Sequence, residues 1–228
     1  MVKSYSKFLN GVYIPNSLST PITFIMSNRN GRPKHTTGQA ITLTDKEFKR
    51  VESIIASGNH PIRNQALLTL SFKLGLRIKE LASLNIEDVY QDGKIKSTLH
   101  LTSDMTKGAK HRDIALTNPK VIADLTVLIK QRQLEDVIFT PIAPLFKSQK
   151  GSRFSPNALS RVLKDIYLAA GLDKASSHSG RRTLITKLAE NNIDINSIRQ
   201  IAGHTSLNTT MRYIQSNPNK LADILRNC

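Results

Sequence analysis

Apolar side chains recur every three or four residues in several stretches of the chain, which is the spacing of amphipathic α-helices. The first stretch follows Thr44 and Glu47, which form a capping-box pattern at a helix start. A second, almost continuously apolar stretch comes next and ends at Gly75. We therefore predict helices over residues 45–57 and 62–74, with a short third helix directly after the glycine turn.

Two further helix starts combine an N-cap side chain with a proline in the first helical position, where proline is favoured. These are the pairs Asn118-Pro119 and Ser155-Pro156. The apolar residues that follow them predict one helix from 119 to about 132 and another from 156 to a terminating Gly171.

A different pattern separates these helices. Alternate apolar positions from Ile95 to Leu101 indicate a strand, and the preceding Asp92-Gly93 indicates a turn. A second strand is predicted over about 110–116, with the loop between the strands at 106–109. The pattern as a whole predicts a mainly α fold with a small antiparallel β-sheet.

The charge balance narrows the kinds of partner. The chain has 33 Lys and Arg residues against 17 Asp and Glu, a formal net charge of +16. A charge of this size is typical of a protein that neutralises phosphates. A merely soluble basic protein or a membrane-surface binder is the alternative, but no segment forms a basic amphipathic helix of the interfacial kind. Nucleic acid is therefore the favoured partner.

Cysteine usage and apolar runs limit where the protein acts. The single cysteine, Cys228, excludes an internal disulfide and a cysteine-based metal cluster. The apolar run at 21–26 is too short and too late for a secretory signal, and no run approaches the length of a membrane span. We expect a cytoplasmic protein with no membrane partner.

The first 44 residues contain five Lys and Arg and no acidic residue, and they are rich in Ser, Asn, Thr, Gly and Pro. This composition does not support a packed domain. We expect residues 1–41 to form a basic, flexible arm, which either grips DNA or remains a loosely docked tail.

Candidate chemistry concentrates between His178 and Tyr213, a stretch that predicts three short helices joined by turns. It contains His178, Arg181, His204 and Tyr213, which together suit the transfer of a phosphoryl group. Arginine and histidine donors stabilise the charge that develops on phosphate oxygens, and a tyrosine oxygen can form a covalent ester. Any one of these residues alone is more simply explained as a half-buried phenol or a surface donor.

Together with two upstream elements, this spacing resembles the tyrosine recombinase family, which includes the phage integrase and Xer types. The matching motifs are Gly75-Leu76-Arg77-Ile78-Lys79-Glu80-Leu81, Thr106-Lys107-Gly108, His178 with Arg181, Gly203-His204, and Tyr213. The resemblance implies a DNA breaking-rejoining catalytic domain at 42–215 whose catalytic residues are Arg77, Lys107, His178, Arg181, His204 and Tyr213. It also implies a short form, without the usual helical core-binding domain.

Two of these matches have simpler alternatives. Arg77 and Glu80 lie three residues apart on a helix, so they could be a surface ion pair. The resemblance instead makes Arg77 a phosphate-binding residue and Glu80 a carboxylate that orients the active site. Its position in a loop, taken alone, indicates that Lys107 is an exposed turn lysine. The resemblance instead implies that Lys107 donates a proton to the departing 5′ oxygen.

Other basic residues are candidate DNA contacts. The loop at 141–153 carries three cations that we expect to bind the phosphate backbone rather than read bases. With two more near the motifs, the predicted DNA-binding residues are Lys110, Lys147, Lys150, Arg153 and Arg182. Residues 216–228 predict a short tail helix that docks on its own protomer or is exchanged with a neighbour.

The resemblance implies a site-specific DNA recombinase that forms a 3′-phosphotyrosyl intermediate, for integration, excision or inversion. It needs no cofactor or metal, because the ester conserves the energy of the broken bond. The implied partners are double-stranded DNA with specific recombination sites, further copies of the chain as a dimer to tetramer, and accessory DNA-bending proteins. The alternatives are a type IB topoisomerase and a catalytically silent DNA-binding regulator of the same fold.

Overall fold

The structure is a computed structural model that describes residues 40–106 and 111–214. The described residues form nine helices and four short strands. The helices are α1 (Asp45–Ser57), α2 (Pro61–Lys73), α3 (Ile78–Ser83), α4 (Ile86–Val89), α5 (Pro119–Glu135), α6 (Pro156–Ala169), α7 (Ser179–Glu190), α8 (Ile195–Ala202) and α9 (Leu207–Ile214). The strands are β1 (Tyr90–Gln91), β2 (Lys94–Ile95), β3 (Thr98–Leu101) and β4 (Arg112–Ala115). The predicted arm, except residues 40 and 41, lies outside the described residues, as do Lys107, Lys110 and the predicted tail.

The predicted starts of α1, α5 and α6 are confirmed, and each is fixed by a local cap. At α1 the Thr44 hydroxyl accepts from the Glu47 amide, and the Glu47 carboxylate accepts from the Thr44 amide at 2.8 Å. The Asn118 side chain caps α5, and the Ser155 hydroxyl caps α6. Caps of this kind depend on neighbours within three residues, so the sequence alone locates them.

Helix α2 is the centre of the core. Its residues from Ala66 to Leu70 are at most 1% exposed, and it packs against α1, α5 and α7. Fully burying a side chain such as Leu68 stabilises the fold by about 1.5–3 kcal/mol. Since α7 carries His178 and Arg181 at its N-terminal end, this packing holds that end of the candidate site against the most buried helix.

The β structure differs from the prediction in detail. Two separate two-stranded antiparallel sheets are present among the described residues, where one sheet was expected. Ile95 pairs with Tyr90 in a hairpin that turns at Asp92-Gly93, and both turn residues have positive φ, as a tight hairpin turn requires. The strand predicted from residue 95 therefore begins only at Thr98, and it pairs with β4.

A smaller apolar cluster joins the last three described helices. Ile185 of α7 and Ile198 and Ala202 of α8 are buried together, and Tyr213 of α9 packs against them. This cluster fixes the position of Tyr213 relative to α7. Within the described residues, no helix combines the length and apolar character that a membrane crossing requires.

Candidate active site

Arg77 is held at the N-terminus of α3 by a glycine turn and a buried carboxylate. Gly75 has φ +62°, a conformation that favours glycine, and a Cβ there would lie 2.9 Å from Leu184. The Arg77 amide and its Nη1 each donate to Glu80 at 2.7 Å. The ion pair between Arg77 and Glu80 that was the simpler alternative is therefore present, but Glu80 is fully buried rather than on the surface.

Glu80 also binds a second arginine that the sequence analysis did not single out. The Nη2 atom of Arg112, in β4, lies 2.8 Å from Glu80 Oε2. The Nη1 atom of Arg112 donates to the carbonyl of Ile201 at 2.9 Å. One carboxylate therefore joins α3 to β4, and Arg112 extends that link to α8.

Arg181 connects the turns on the two sides of the site. Its Nη1 donates to the carbonyl of Gly75 at 2.7 Å, and its Nη2 donates to the carbonyl of Ala202. The preceding residue, Gly180, lies so close to α2 that a Cβ would be 2.4 Å from the Ser71 hydroxyl oxygen. Only a glycine lets α7 approach α2 closely enough to place Arg181 between these turns.

His204 follows the end of α8. Gly203 terminates that helix with φ +58°, and its carbonyl accepts from Arg77 Nη2 at 2.7 Å. The imidazole Nδ1 of His204 shares a 2.9 Å hydrogen bond with the buried Thr210 hydroxyl. Burial, followed by the nearby arginines, lowers the pKa of His204 to about 4, so the ring is neutral at pH 7.

Tyr213 of α9 lies against His204. The two rings are stacked, with centroids 5.8 Å apart and planes 15° from parallel. The guanidinium carbon of Arg182 lies 5.7 Å from the Tyr213 ring centroid, within the range of a cation–π interaction. The Tyr213 ring thus lies close to both a neutral imidazole and a cation.

His178 occupies the N-cap position of α7 and is exposed. Desolvation, followed by the charges of Arg181 and Arg77, lowers the pKa of His178 from its ordinary value. The neutral form, which can accept a proton, is therefore favoured at neutral pH.

The site as a whole is electropositive. Burial, reinforced by Arg77 and Arg112, lowers the pKa of Arg181 to about 9, while Glu80 and Tyr213 act in the opposite direction. Arg181 is still charged at pH 7, and the guanidinium groups of Arg77 and Arg112 both bind the single carboxylate of Glu80. An open cavity of about 380 Å³ lies beside them, lined in part by Arg77, Arg112, Arg199 and His204. This arrangement suits an anion such as a phosphate.

The structure brings together most of the predicted site residues. Arg77, Arg181, His204 and Tyr213 are linked by the contacts above, and His178 lies in the field of the two arginines. Arg112 was missed, although one signal was available. In the predicted strand, Arg112 lies on the same face as Ile114 and Leu116. A charged side chain on an apolar face is stable only with a buried partner, so this position indicated an internal ion pair.

The predicted DNA contacts have internal partners in several cases. Lys147 is 2.7 Å from the carboxylate of Asp136, and Arg153 donates to three carbonyls between Ala82 and Leu84. Arg182 lies over the Tyr213 ring, while Lys150 is exposed. Composition could not foresee these partners, because Asp136 lies 11 residues before Lys147 and the Ser83 carbonyl lies 70 residues before Arg153. A role of these cations in DNA binding stays a prediction.

Comparison with known proteins agrees with this fold. Residues 42–220 match the model of the phage integrase family, and the chain belongs to that family. It is 33% identical over 157 residues to tyrosine recombinase XerC of Myxococcus xanthus, which covers 68% of this chain and 50% of the relative. It is 31% identical over 173 residues to tyrosine recombinase XerA of Pyrococcus furiosus, covering 75% and 56%. The chain thus spans about half the length of these relatives.

Solved structures share the fold. A crystal structure of XerA recombinase superposes with a TM-score of 0.66 at 26% identity, covering 83% of this chain and 65% of that one. The Tn1549 transposon integrase in complex with transposon right end DNA gives a TM-score of 0.62 at 18% identity, covering 86% and 68%. At that identity the second likeness concerns the fold alone.

Proposed function

We propose that this chain is the catalytic part of a site-specific DNA recombinase. In this proposal Tyr213 attacks the scissile phosphate, which leaves a 3′-phosphotyrosyl bond and a free 5′ hydroxyl, and the hydroxyl of a partner strand reverses the reaction. The observation that carries the proposal is that Tyr213 stacks on His204, while Arg77 and Arg181 bind the backbone carbonyls of the turn that leads into His204. A tyrosine beside fixed cations is suited to forming a phosphate ester.

The proposed roles follow from the charge state of each group. Arg77 and Arg181 stabilise the transferring phosphate, because backbone carbonyls fix both guanidinium groups beside the site. His178 accepts the tyrosine proton, since its lowered pKa keeps the imidazole neutral. We expect the Thr210 hydroxyl to donate to His204 Nδ1. The proton of the neutral ring is then on Nε2, where it can be donated to a phosphate oxygen.

Lys107 is proposed as the proton donor to the departing 5′ oxygen, on the sequence motif alone. Lys107→Ala should lower the cleavage rate by about 10²–10⁴-fold, the usual value of a positioned general acid. A 5′-bridging phosphorothiolate should restore the rate, because sulfur departs without a proton. Equal defects on the oxygen and sulfur substrates would remove Lys107 from this role.

Several broader features belong to the same proposal. The net charge of +16 supports double-stranded DNA as the partner, with contacts from cations such as Lys150. Solved relatives of the same fold include XerH bound to its difH substrate and the Tn1549 integrase bound to transposon end DNA. We further propose that copies of the chain assemble on recombination sites by exchanging residues 216–228, and that the protein acts in the cytoplasm without a cofactor.

Covalent capture tests the proposal and selects the target sequence in the same experiment. A library of nicked duplexes with randomised sequence is incubated with the protein, so that cleavage near the nick releases a short strand and traps the adduct. Adducts that survive SDS are recovered and sequenced. Wild type should give adducts with a common sequence, whereas Tyr213→Phe, which keeps the ring but removes the oxygen, should bind DNA and give none.

The outcomes separate the candidate functions. A silent regulator would give no adduct with either protein. A type IB topoisomerase would cleave as a monomer and relax supercoiled DNA without pairing two sites. Adducts formed by Tyr213→Phe would show that another residue is the nucleophile.

A further inference from the structure

Arg112 occupies a junction between three parts of the candidate site. It extends from β4, and its side chain is only 8% exposed. One end of the guanidinium binds Glu80, which in turn binds both the amide and the guanidinium of Arg77. The other end binds the carbonyl of Ile201, three residues before His204.

The turn at Gly203 is built around this side chain. A Cβ at Gly203 would lie 2.8 Å from Arg112 Cδ and 2.9 Å from its Nη1. The backbone therefore approaches the guanidinium as closely as a glycine permits. Because this turn leads directly into His204, the position of the imidazole depends on where Arg112 lies.

We propose that Arg112 is a positioning residue for the DNA cleavage proposed above, fixing Arg77 through Glu80 and His204 through the carbonyl of Ile201. The inference rests on that proposed function. Two terminal nitrogens pointing in different directions are needed, since Glu80 and Ile201 bind different ends of the guanidinium. Lysine has a single ammonium group and cannot hold both partners in this geometry. Arg112 also follows Lys107 by five residues, so the same anchor fixes the strand into which that loop leads.

Arg132 supplies a matched control, because its partners do not belong to the site. Its side chain is equally buried, and it likewise joins a carboxylate, Asp136, to the backbone carbonyls of Pro144 and Leu145. Arg112→Lys and Arg132→Lys should therefore both lower stability to urea, and both should leave the affinity for DNA unchanged. Single-turnover cleavage of the captured sequence is then compared at saturating DNA.

Arg112→Lys should lower the single-turnover rate by about 10-fold or more, because small displacements of catalytic groups have effects of this size. Arg132→Lys should cleave at the wild-type rate.

Two results would overturn the proposal: wild-type cleavage by Arg112→Lys, or an equal loss of cleavage in Arg132→Lys. If the wild type cleaves no DNA, the proposed function fails, and NMR of the protein alone decides whether Arg112 positions the site. The nuclear Overhauser contacts between the His204 and Tyr213 rings should then change in Arg112→Lys and not in Arg132→Lys. Unchanged contacts in both variants would count against the positioning role.

Discussion

Replacement of Glu80 by glutamine tests whether one buried carboxylate holds the site together. The carboxylate is fully buried and accepts three hydrogen bonds, from the amide and Nη1 of Arg77 and from Nη2 of Arg112, all at 2.7–2.8 Å. Glu80→Gln keeps the size of the side chain but replaces one acceptor oxygen with an NH₂ group. At least one guanidinium then loses its acceptor, and Arg112 keeps a buried charge without a counter-ion.

Removing one partner of a buried ion pair typically costs about 3–5 kcal/mol. That is a large share of the roughly 5–15 kcal/mol by which domains are stable. Urea unfolding at pH 7 measures the loss as a change in midpoint at constant m-value, about 2 M if m is near 2 kcal/mol/M. Cleavage by the folded variant should also fall, because Arg77 loses its fixed orientation.

Two further carboxylates serve as controls. Glu52 is partly exposed and lies 3.1 Å from Lys120, so Glu52→Gln should cost less than about 1 kcal/mol. Asp136 is buried against Arg132 and Lys147, away from the site, so Asp136→Asn should destabilise the fold but leave cleavage unchanged. If Glu80→Gln unfolds at the same urea concentration as Glu52→Gln, the carboxylate does not anchor the arginines as argued.

Two more predictions concern packing and protonation. Gly180→Ala should destabilise the fold by about 1–3 kcal/mol in thermal unfolding, because its Cβ would lie 2.4 Å from the Ser71 hydroxyl; wild-type stability would mean that α7 and α2 are not in close contact. His204 has a folded pKa of about 4, below its ordinary 6.5, so its contribution to stability is present above about pH 6.5 and is lost as the pH falls towards 4. In urea unfolding, the free energy of unfolding of the wild type should be about 1–3 kcal/mol lower at pH 5 than at pH 7.5, and this difference should be smaller in His204→Asn. An equal difference in the variant would contradict the lowered pKa of His204.

The helical part of the fold could be predicted because its signals are local. Thr44, Asn118 and Ser155 each bind an amide two or three residues ahead, and those interactions do not depend on the rest of the chain. The strands were harder to predict, because the alternation of apolar and polar residues continues from Ile95 into β3. Only the pairing shows that Ile95 belongs to the preceding hairpin.

The spacing of the motifs indicated which residues converge, but not what holds them. Arg112 lies 32 residues from Glu80 and 89 from Ile201, and no periodic pattern reaches that far. The same limit applies to Lys147 and Arg153, whose partners are fixed by the fold. From the sequence alone, a cation in a loop is therefore interpreted as a surface group, because its neighbours are known only from the fold.

The backbone contacts of the arginines bear on how such a site would act. Arg181 donates to the carbonyls of Gly75 and Ala202, and Arg77 donates to that of Gly203. These acceptors offset the cost of burying the guanidinium groups when no phosphate is bound. They also fix the planes of the guanidinium groups before a substrate arrives, and donors that need no reorganisation stabilise a transition state most effectively. Since lysine would keep the charge but lose the fork of donors, conservative substitution at either arginine should impair the site nearly as much as removal of the charge.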